Sequence, residues 1–441
     1  MPDVRRAGIL AGVPERMSVF DLAELAADVG PNPRNVGVLL ELDGPAPTIG
    51  DVRLAVARRL GLVPRLTQTM RRVPLGAGRP VWADVAVDLE HHVRVRTAEP
   101  DDLLTVTAGV LAEPLDPARP WWTLTVVDLP AESRSALVWS SHHAMADGPS
   151  LLRAVLAIVS DGPERALAPR APVPGRARLT REAWAGRVGA LRGVVRLPQH
   201  VVGLREVGAS SGKRVPPSPL NQPVSPGYAL RIVDVDLEAL RAGARTCGAT
   251  VNDALLWAWG RAMHRRLAAA GLAGAPVEVS VTVTVPSAAI ENRVGAVRFA
   301  VPAPGTSVAR DLTALAVDTH RRKCLISGST WWLTAQGFRA VGALGLYRRL
   351  VERQRAITTL LTNMRGPEGP LVVLGRRVTR AVPLATLVGN VAVATAALSC
   401  DGQLVATIMC APQTATDADT FAADLDDGLA AVAGLTVHPA T

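Results

Sequence analysis

The stretch WSSHHAMADGPS, residues 139–150, places two adjacent histidines at the end of an apolar run and follows them with an acid and a glycine. The chain has only 8 histidines in 441 residues, so two adjacent ones suggest a specific role. That role could be catalysis, metal binding or packing. Adjacent residues at the end of a strand point to opposite faces, so one histidine can face a cavity while the other supports the loop. An imidazole, with a reference pKa near ~6.5, can act as a base at neutral pH.

The residues around the pair predict a strand before it and a helix after it. The runs WWTLTVVDL and SALVWSS, joined by PAESR, predict an antiparallel hairpin. The following PSLLRAVLAIVSD places its leucines and valines on one helical face, with Pro149 suited to the first turn. The pair therefore lies on a strand-to-helix loop, where we expect Gly148 to allow a tight turn.

Length and composition indicate a globular chain of two domains. Hydrophobic residues make up 48% and charged residues 20% of 441 residues. The net charge of +9 suits the phosphates of CoA, a phosphopantetheine carrier protein or anionic lipid. The basic residues are scattered, without a long block or an aromatic-interleaved motif, so we expect no nucleic-acid binding. The four cysteines are widely spaced, which predicts neither a disulfide framework nor a zinc site and fits the cytoplasm.

Two regions of mixed strands and helices flank a segment rich in Pro and Arg. We predict an N-terminal domain over 1–165, a linker over 166–226 with a helix from Glu182 to Arg196, and a C-terminal domain over 227–441. The uncharged stretch 381–400 approaches the length of a membrane span. Its internal Pro, Gly and Asn and its alternating pattern predict a buried strand with its approach loop instead.

Local signals mark several further elements. TIGDVRLAVARRLGLVP predicts a helix that begins at Thr48 or Asp51, and Gly248 is suited to end the helix LEALRAGARTCG. The segment TVNDALLWAWGRAMHRRLAAAG predicts a long amphipathic helix. The N-terminal MPDVRRAGILAGVPERM is a poor match to a signal peptide.

Other site chemistries lack their motifs in this sequence. There is no GxSxG elbow, no P-loop and no GxGxxG opening a helix after a strand. Adjacent histidines point apart and no HExxH is present, so we expect no metal. A structural role for the pair stays open at this point.

The segment HHAMADG fits HHxxxDG, the motif of condensation-type acyltransferases, and its surroundings narrow the resemblance. LDPARPWWTLTVVD resembles the segment around the PLW motif of the bacterial wax ester synthase/diacylglycerol acyltransferase family, and GATVNDALLWAWGRAM resembles its ND-motif helix. RRVPLGAGRPVWADVAVDLEHHVR, SPLNQPVSP and LLTNMRGPEGPL also resemble family segments, in the family's order. The resemblance runs from about Met17 to the C-terminus.

The resemblance implies an α/β (α+β) fold of two chloramphenicol-acetyltransferase-like domains with a tunnel between them. His143 would be the general base on the acceptor hydroxyl, which attacks an acyl thioester. His142 would be structural or would orient the loop, and Asp147 would form a buried salt bridge whose partner the sequence does not identify; Arg119 and Arg293 are the candidates.

The resemblance also implies residues that bind substrate. Trp121 and Trp122 lie at the PLW position. Asn252 and Asp253 match the ND motif, and a helix cap and a site contact are equally open interpretations for them. A backbone or side-chain donor near Gly148 or Asn252 would meet the developing oxyanion.

The implied reaction moves an acyl group from acyl-CoA to diacylglycerol or a long-chain alcohol and gives triacylglycerol or wax ester. No permanently bound cofactor and no metal are expected. The alternative is a biosynthetic condensation enzyme that acylates a small polar alcohol or amine from a carrier-protein or CoA thioester. A third class is a relative that binds lipid or protein without catalysis. The presence of both His143 and Asp147 argues against this class. We expect a cytoplasmic protein, with peripheral attachment to a membrane or lipid body and an acyl carrier protein as further partners.

The sequence departs from the family in three places. The PLW position reads Pro120-Trp121-Trp122, and a segment that is Met-His-Val-Gly in many members reads Arg34-Asn35-Val36-Gly37. Gly227-Tyr228 stands where an arginine is often found. These departures leave His143 unchanged. They concern the pocket for the acyl group or the alcohol, and a smaller or more polar alcohol is therefore an alternative acceptor.

Overall fold

The computed structural model describes residues 15–74, 76–165, 175–191, 214–284, 294–325 and 344–436, with five further single positions (167, 292, 337, 341 and 342). The strands in these residues form two six-stranded sheets and one two-stranded hairpin. Helices cover the sheets, which gives a mixed α/β architecture with a sheet in each half of the chain.

The first sheet contains the strand that carries the histidine pair. Its order is β11-β12-β1-β6-β5-β4. The predicted hairpin is confirmed: β5 pairs antiparallel with β6, with Trp122 opposite Ser141. Every residue of β1 is buried, as expected of a strand inside a sheet covered on both faces. The strands of this sheet are β1 Asn35–Leu42, β4 Val93–Thr97, β5 Trp122–Leu129, β6 Arg134–His142, β11 Val372–Val373 and β12 Arg376–Leu384; β2 Gln68–Arg71 and β3 Val81–Asp84 form the separate hairpin.

The second sheet is built from the C-terminal half alone. Its order is β7-β14-β13-β10-β8-β9, with β10 parallel to both of its neighbours and the other pairs antiparallel. Its strands are β7 Ala229–Asp236, β8 Val277–Thr284, β9 Val294–Val301, β10 Thr359–Arg365, β13 Val393–Cys400 and β14 Gln403–Cys410.

The helices begin and end close to the sequence signals. Thr48 is the N-cap of α2, and its side chain accepts a hydrogen bond from the amide of Asp51. Gly248 follows α7 with φ +65, the left-handed conformation that glycine adopts without strain. The helices are α1 Val19–Ala27, α2 Ile49–Arg59, α3 Leu89–His92, α4 Leu103–Ala112, α5 Gly148–Val159, α6 Arg176–Leu191, α7 Leu237–Thr246, α8 Val251–Ala269, α9 Val308–Leu325, α10 Tyr347–Glu352 and α11 Ala418–Ala433.

Two sequence expectations need correction. The linker helix α6 begins at Arg176, six residues before the predicted Glu182, and the predicted end at Arg196 lies outside the described residues. In the stretch 381–400, β13 confirms the predicted buried strand and residues 385–392 its approach loop, but the first four residues belong to another strand. The stretch holds the end of β12 in the first sheet and the whole of β13 in the second, so it connects the two sheets.

Strands β11 and β12 cross from the C-terminal half into the first sheet. Strand β12 pairs antiparallel with β1, with Gly37 opposite Leu384. A core cluster also spans the two sheets and contains Leu39 and Val138 from the first and Val405 from the second. The boundary predicted at 226/227 therefore leaves out the two strands that the C-terminal half contributes to the first sheet. Among the helices of the described residues, none is long and apolar enough to cross a membrane.

Candidate active site

The histidine pair lies where β6 leaves the first sheet. The backbone amide of His142 donates to the carbonyl of Trp121 at 3.0 Å, and the amide of His143 donates to the carbonyl of Arg34 at 2.8 Å. The amide of Met145 then donates to the carbonyl of His142 at 3.0 Å, which closes a turn. The neighbouring chain segments on both sides thus fix the backbone of the pair.

His142 is held by both of its ring nitrogens. Nδ1 accepts a hydrogen bond from the amide of Ala144 at 3.0 Å, so Nε2 must carry the proton in the neutral ring. Nε2 then donates to Oδ2 of Asp28 at 3.3 Å. Burial raises the pKa of the Asp28 carboxyl, but the hydrogen bond and charge of His142, together with Arg34, outweigh burial and leave that pKa below its usual value. His142 is therefore fixed in position and tautomer.

His143 differs from its neighbour because its side chain is only half-buried and less restrained. Its Nδ1 is buried and has no hydrogen-bond partner among the described residues. The second half of the chain contacts its backbone, since Nδ2 of Asn292 donates to the carbonyl of His143 at 3.2 Å. The pair is thus divided into one ring with both nitrogens bonded and one ring whose Nδ1 has no partner among the described residues.

Asp147 caps the helix that follows the pair. It is the N-cap of α5, it is 1% exposed, and its Oδ1 accepts from the amide of Ser150 at 2.9 Å. Burial raises the pKa of its carboxyl above the usual range, and the hydrogen bond from Ser150 and the charges of His143 and Arg153 offset only part of that rise. The carboxylate thereby shapes the loop and the start of the helix.

The two arginines expected beside Asp147 have different outcomes. Arg119 instead pairs with Asp88 at 2.7 Å and with Asp116 at 3.3 Å. Arg293 lies outside the described residues. The expectation for Arg119 is therefore wrong.

Gly148 serves close packing and not a turn with positive φ. It is the first residue of α5 and is absent from the positive-φ residues of the described chain. A Cβ at this position would meet Sδ of Met364, on β10 of the second sheet, at 2.3 Å. The conformational role expected for Gly148 is corrected to a packing role beside the histidine loop.

The two tryptophans of the PLW position have different surroundings. Trp122 is fully buried, stacks on His92 at 4.4 Å and on Trp139 at 4.9 Å, and donates its Nε1 proton to a backbone carbonyl at 2.8 Å. Its ring offers no exposed surface to a ligand in this conformation. Trp121 is 5% exposed, and its ring lies 5.2 Å from the ring of His142.

Asn252 and Asp253 lie in the first turn of α8, but the N-cap is Thr250. Asp253 completes a capping box, because its Oδ2 accepts from the amide of Thr250 at 2.9 Å and from its hydroxyl at 2.7 Å. Its Oδ1 accepts from the hydroxyl of Thr319 at 2.7 Å. Both carboxylate oxygens of Asp253 are thus used in hydrogen bonds that hold the helices in place. The side chain of Asn252 is half-buried.

Sequence reasoning missed a buried ion pair near the histidines. Nε of Arg34 donates to Oε2 of Glu24 at 3.2 Å, and the two side chains are 11% and 18% exposed. Burial raises the pKa of Glu24, but the charges of Arg34 and then His143 outweigh burial and bring it to about 2. The signal available in the sequence was Arg34, at which the chain departs from the family segment that it resembles.

The described part of the chain holds no group of three or more His, Cys, Asp or Glu side chains arranged to bind a metal ion. The local chemistry is that of two imidazoles and their carboxylate neighbours.

Comparisons with known proteins agree with this geometry. Residues 17–255 match the wax ester synthase/diacylglycerol acyltransferase catalytic domain, and residues 291–433 match the C-terminal domain of the same family. A Mycobacterium tuberculosis protein named "Probable diacyglycerol O-acyltransferase" is 26% identical over 432 residues, which cover 90% of each chain.

Solved structures share the fold. The wax ester synthase/diacylglycerol acyltransferase of Marinobacter aquaeolei VT8 has a TM-score of 0.67 at 19% identity and covers 96% of this chain and 100% of its own. The condensation domain of the Monacolin K polyketide synthase has a TM-score of 0.61 at 12% identity and covers 95% of this chain and 96% of its own. The two family matches together span most of the chain and identify its family. The similarities to solved structures support only the fold. The chain therefore belongs to the wax ester synthase/diacylglycerol acyltransferase family and is an acyltransferase.

Proposed function

We propose that this acyltransferase moves an acyl group from acyl-CoA to the hydroxyl of diacylglycerol or a long-chain alcohol, with His143 as the general base. The observation that carries the proposal is the difference between the two histidines. His142 has both ring nitrogens engaged, whereas His143 is half-buried and its Nδ1 has no partner among the described residues. An imidazole that no described residue holds at Nδ1, on a loop between the two sheets, is suited to take a proton from a bound alcohol.

The proposed reaction is balanced by one proton that moves through His143. The ring takes the proton of the acceptor hydroxyl while the oxygen attacks the thioester carbonyl carbon. The tetrahedral intermediate collapses, the carbon–sulfur bond breaks, and the departing sulfur takes the proton back from the ring. The backbone amide of Gly148, at the start of α5, is our candidate to stabilise the oxyanion, with Asn252 as the second candidate donor.

The experiment compares wild-type protein with His143→Ala. Purified protein receives palmitoyl-CoA with hexadecanol or diacylglycerol, and both ester and free CoA are measured. We expect His143→Ala to lower kcat by roughly 10²–10⁴-fold, the usual contribution of a positioned base. His264→Ala is the matched control, because His264 is a half-buried histidine on α8 that bonds the carbonyl of Val301 at 2.8 Å. Ester formation that survives His143→Ala at the control rate would refute the base.

The acyl donor is tested by a second arm of the same assay. The palmitoyl group is presented on an acyl carrier protein, and small polar alcohols and amines replace the lipid acceptors. Transfer from CoA to lipid alcohols supports the proposal. Transfer from the carrier protein alone would favour the condensation-enzyme alternative.

We also propose that the protein contacts a membrane or lipid-body surface from the cytoplasm, since its proposed acceptors reside there. Leu344, Leu346 and Leu350 are 71%, 50% and 46% exposed, and Arg348 and Arg349 lie between them. Exposed leucines beside arginines suit an anionic lipid interface. Sedimentation with anionic vesicles tests this, and equal recovery of wild type and Leu344→Ser/Leu346→Ser with the vesicles would contradict it.

A further inference from the structure

The peptide group between His143 and Ala144 lies at the middle of the turn that carries the proposed base. The turn runs from His142 to Met145 and is closed by the amide of Met145, which donates to the carbonyl of His142 at 3.0 Å. In a four-residue turn, the central peptide group takes no part in the closing hydrogen bond, and its orientation distinguishes the common turn types. The direction of the His143 side chain therefore depends on what holds this central peptide group.

Side chains hold both ends of the central peptide group. Its N–H, from Ala144, donates to Nδ1 of His142 at 3.0 Å, and its carbonyl, from His143, accepts from Nδ2 of Asn292 at 3.2 Å. The preceding peptide group is held as well, because the amide of His143 donates to the carbonyl of Arg34 at 2.8 Å. Since a residue has only two soft backbone dihedral angles, these hydrogen bonds together restrict the direction in which the His143 side chain leaves the backbone.

Asn292 differs from the other two partners because it belongs to the second half of the chain. His142 and Arg34 belong to the first sheet and its approach, whereas Asn292 lies two residues before β9 of the second sheet. Asn292 is only 2% exposed, so protein encloses its side chain. The second half reaches the same loop again through Met364, whose Sδ lies 2.3 Å from the position that a Cβ on Gly148 would take. The second half of the chain therefore contacts both the base and the start of α5.

We propose that Asn292 is a positioning residue of this acyltransferase: its amide holds the carbonyl of His143, so that the second half of the chain fixes the direction of the His143 ring toward the acceptor hydroxyl. The inference rests on His143 being the general base and adds a residue that orients it. Asn292 itself transfers no proton in this role. A displacement of about 1 Å in an active site can lower the rate by ~10²-fold, so a single hydrogen bond to the backbone of the base is enough to affect catalysis.

The first experiment compares Asn292→Ala and Asn292→Leu with wild-type protein in the assay with palmitoyl-CoA and hexadecanol. Both variants remove the amide donor, and Asn292→Leu keeps the size of the side chain. We expect kcat to fall by roughly tenfold or more in each, because a hydrogen bond and the orientation of the base are lost together. KM should stay near the wild-type value, since the amide acts on the base and not on the bound substrate.

A second pair of proteins separates positioning from a general weakening of the fold. Asn292→Ala is made in the His143→Ala background, and residual ester formation is followed with radiolabelled palmitoyl-CoA. If Asn292 acts through the ring of His143, its removal should leave this residual rate unchanged within about twofold, since no ring remains to be oriented. A purely structural role predicts the same fractional loss of rate in both backgrounds.

Asn390→Ala is the matched control. Asn390 is also a buried asparagine, 5% exposed, and its Nδ2 also donates to a backbone carbonyl, that of Gln354 at 2.9 Å. Gln354 lies just after α10 and not in the histidine turn. The control should keep kcat near the wild-type value, and its thermal unfolding measures what the loss of such a hydrogen bond does to the fold alone.

The outcomes separate this inference from the proposed function. Wild-type kcat in either folded variant of Asn292, with His143→Ala strongly impaired, would overturn the positioning role and leave the base in place. Equal fractional losses in the two backgrounds would overturn it as well. Full activity in His143→Ala would remove the base itself. Thermal unfolding establishes that each protein is folded, and Asn292→Leu replaces Asn292→Ala in both backgrounds if the alanine variant does not fold.

Discussion

At the residue scale, neighbours in sequence have different tasks because their surroundings differ. His142 is fixed between the amide of Ala144 and Asp28, whereas Nδ1 of His143 has no partner among the described residues. One carboxylate oxygen of Asp147 accepts the hydrogen bond that caps α5. Gly148 leaves room for Met364 from the second sheet. One loop thus combines a proposed base, its support and a packing contact between the two halves.

Gly148→Ala tests that packing contact. The added Cβ would lie 2.3 Å from Sδ of Met364, so the methionine must move. We expect a loss of about 1 kcal/mol or more in the free energy of unfolding, as for other overpacked sites. In a Met364→Ala background, the same substitution should cost much less. Urea unfolding of the four proteins measures the coupling, and simple additivity would contradict the contact. Gly162→Ala is the control, because nothing lies within 4 Å of its Cβ position.

At the element scale, strands β5 and β6 and helix α3 are joined beneath the site by an aromatic stack. His92 stacks on Trp122, and Trp122 stacks on Trp139 at an interplanar angle of 4°. Nδ1 of His92 bonds the carbonyl of Trp122 at 2.7 Å, and the ring is fully buried. Burial is the main cause that lowers the pKa of His92 to about 4. The stack therefore depends on a neutral histidine.

Acid should weaken the fold through His92. Between about pH 6.5 and 4, the unfolded chain binds a proton at His92 that the folded chain does not, so stability falls as pH falls. Above pH 6.5 the ring is neutral in both states and stability no longer depends on it. The pKa difference corresponds to about 3 kcal/mol. His92→Phe keeps a ring in the stack and removes the titration, so its loss of stability between pH 7 and 4, measured by urea unfolding, should be smaller by that amount. Equal losses in both proteins would contradict the role of His92.

At the scale of the whole molecule, the two halves depend on each other. Strands β11 and β12 come from the C-terminal half but complete the first sheet beside β1. The core cluster between the sheets contains residues of both. Without β12, strand β1 would present unpaired backbone groups and an apolar surface at the sheet edge, which favours aggregation.

A fragment of residues 1–226 should therefore not fold alone. We expect it to be insoluble or aggregated by size-exclusion chromatography, because it lacks β11 and β12 and one side of the shared core. Co-expression with residues 227–441 should restore a soluble complex. A monomeric 1–226 fragment with cooperative thermal unfolding would show that the halves are independent.

The sequence by itself determined the local elements and the chemistry of the loop. The hairpin of β5 and β6, the helix after the histidines and the end of α7 at Gly248 follow from period, turn residues and caps within a few positions. The ordered motifs also indicated the family that the comparisons confirm.

Only the tertiary structure decided which distant residues meet. Nothing near Gly148 in sequence reveals Met364, and nothing near β1 reveals that β12 pairs with it. The same holds for the pairing of Arg119 with Asp88 and for the burial of Glu24 beside the histidines. Local signals depend on neighbours along the chain, whereas these contacts depend on how the two sheets pack and on which charges are desolvated together. For that reason, the proposed base could be identified from sequence, but its electrostatic surroundings could not.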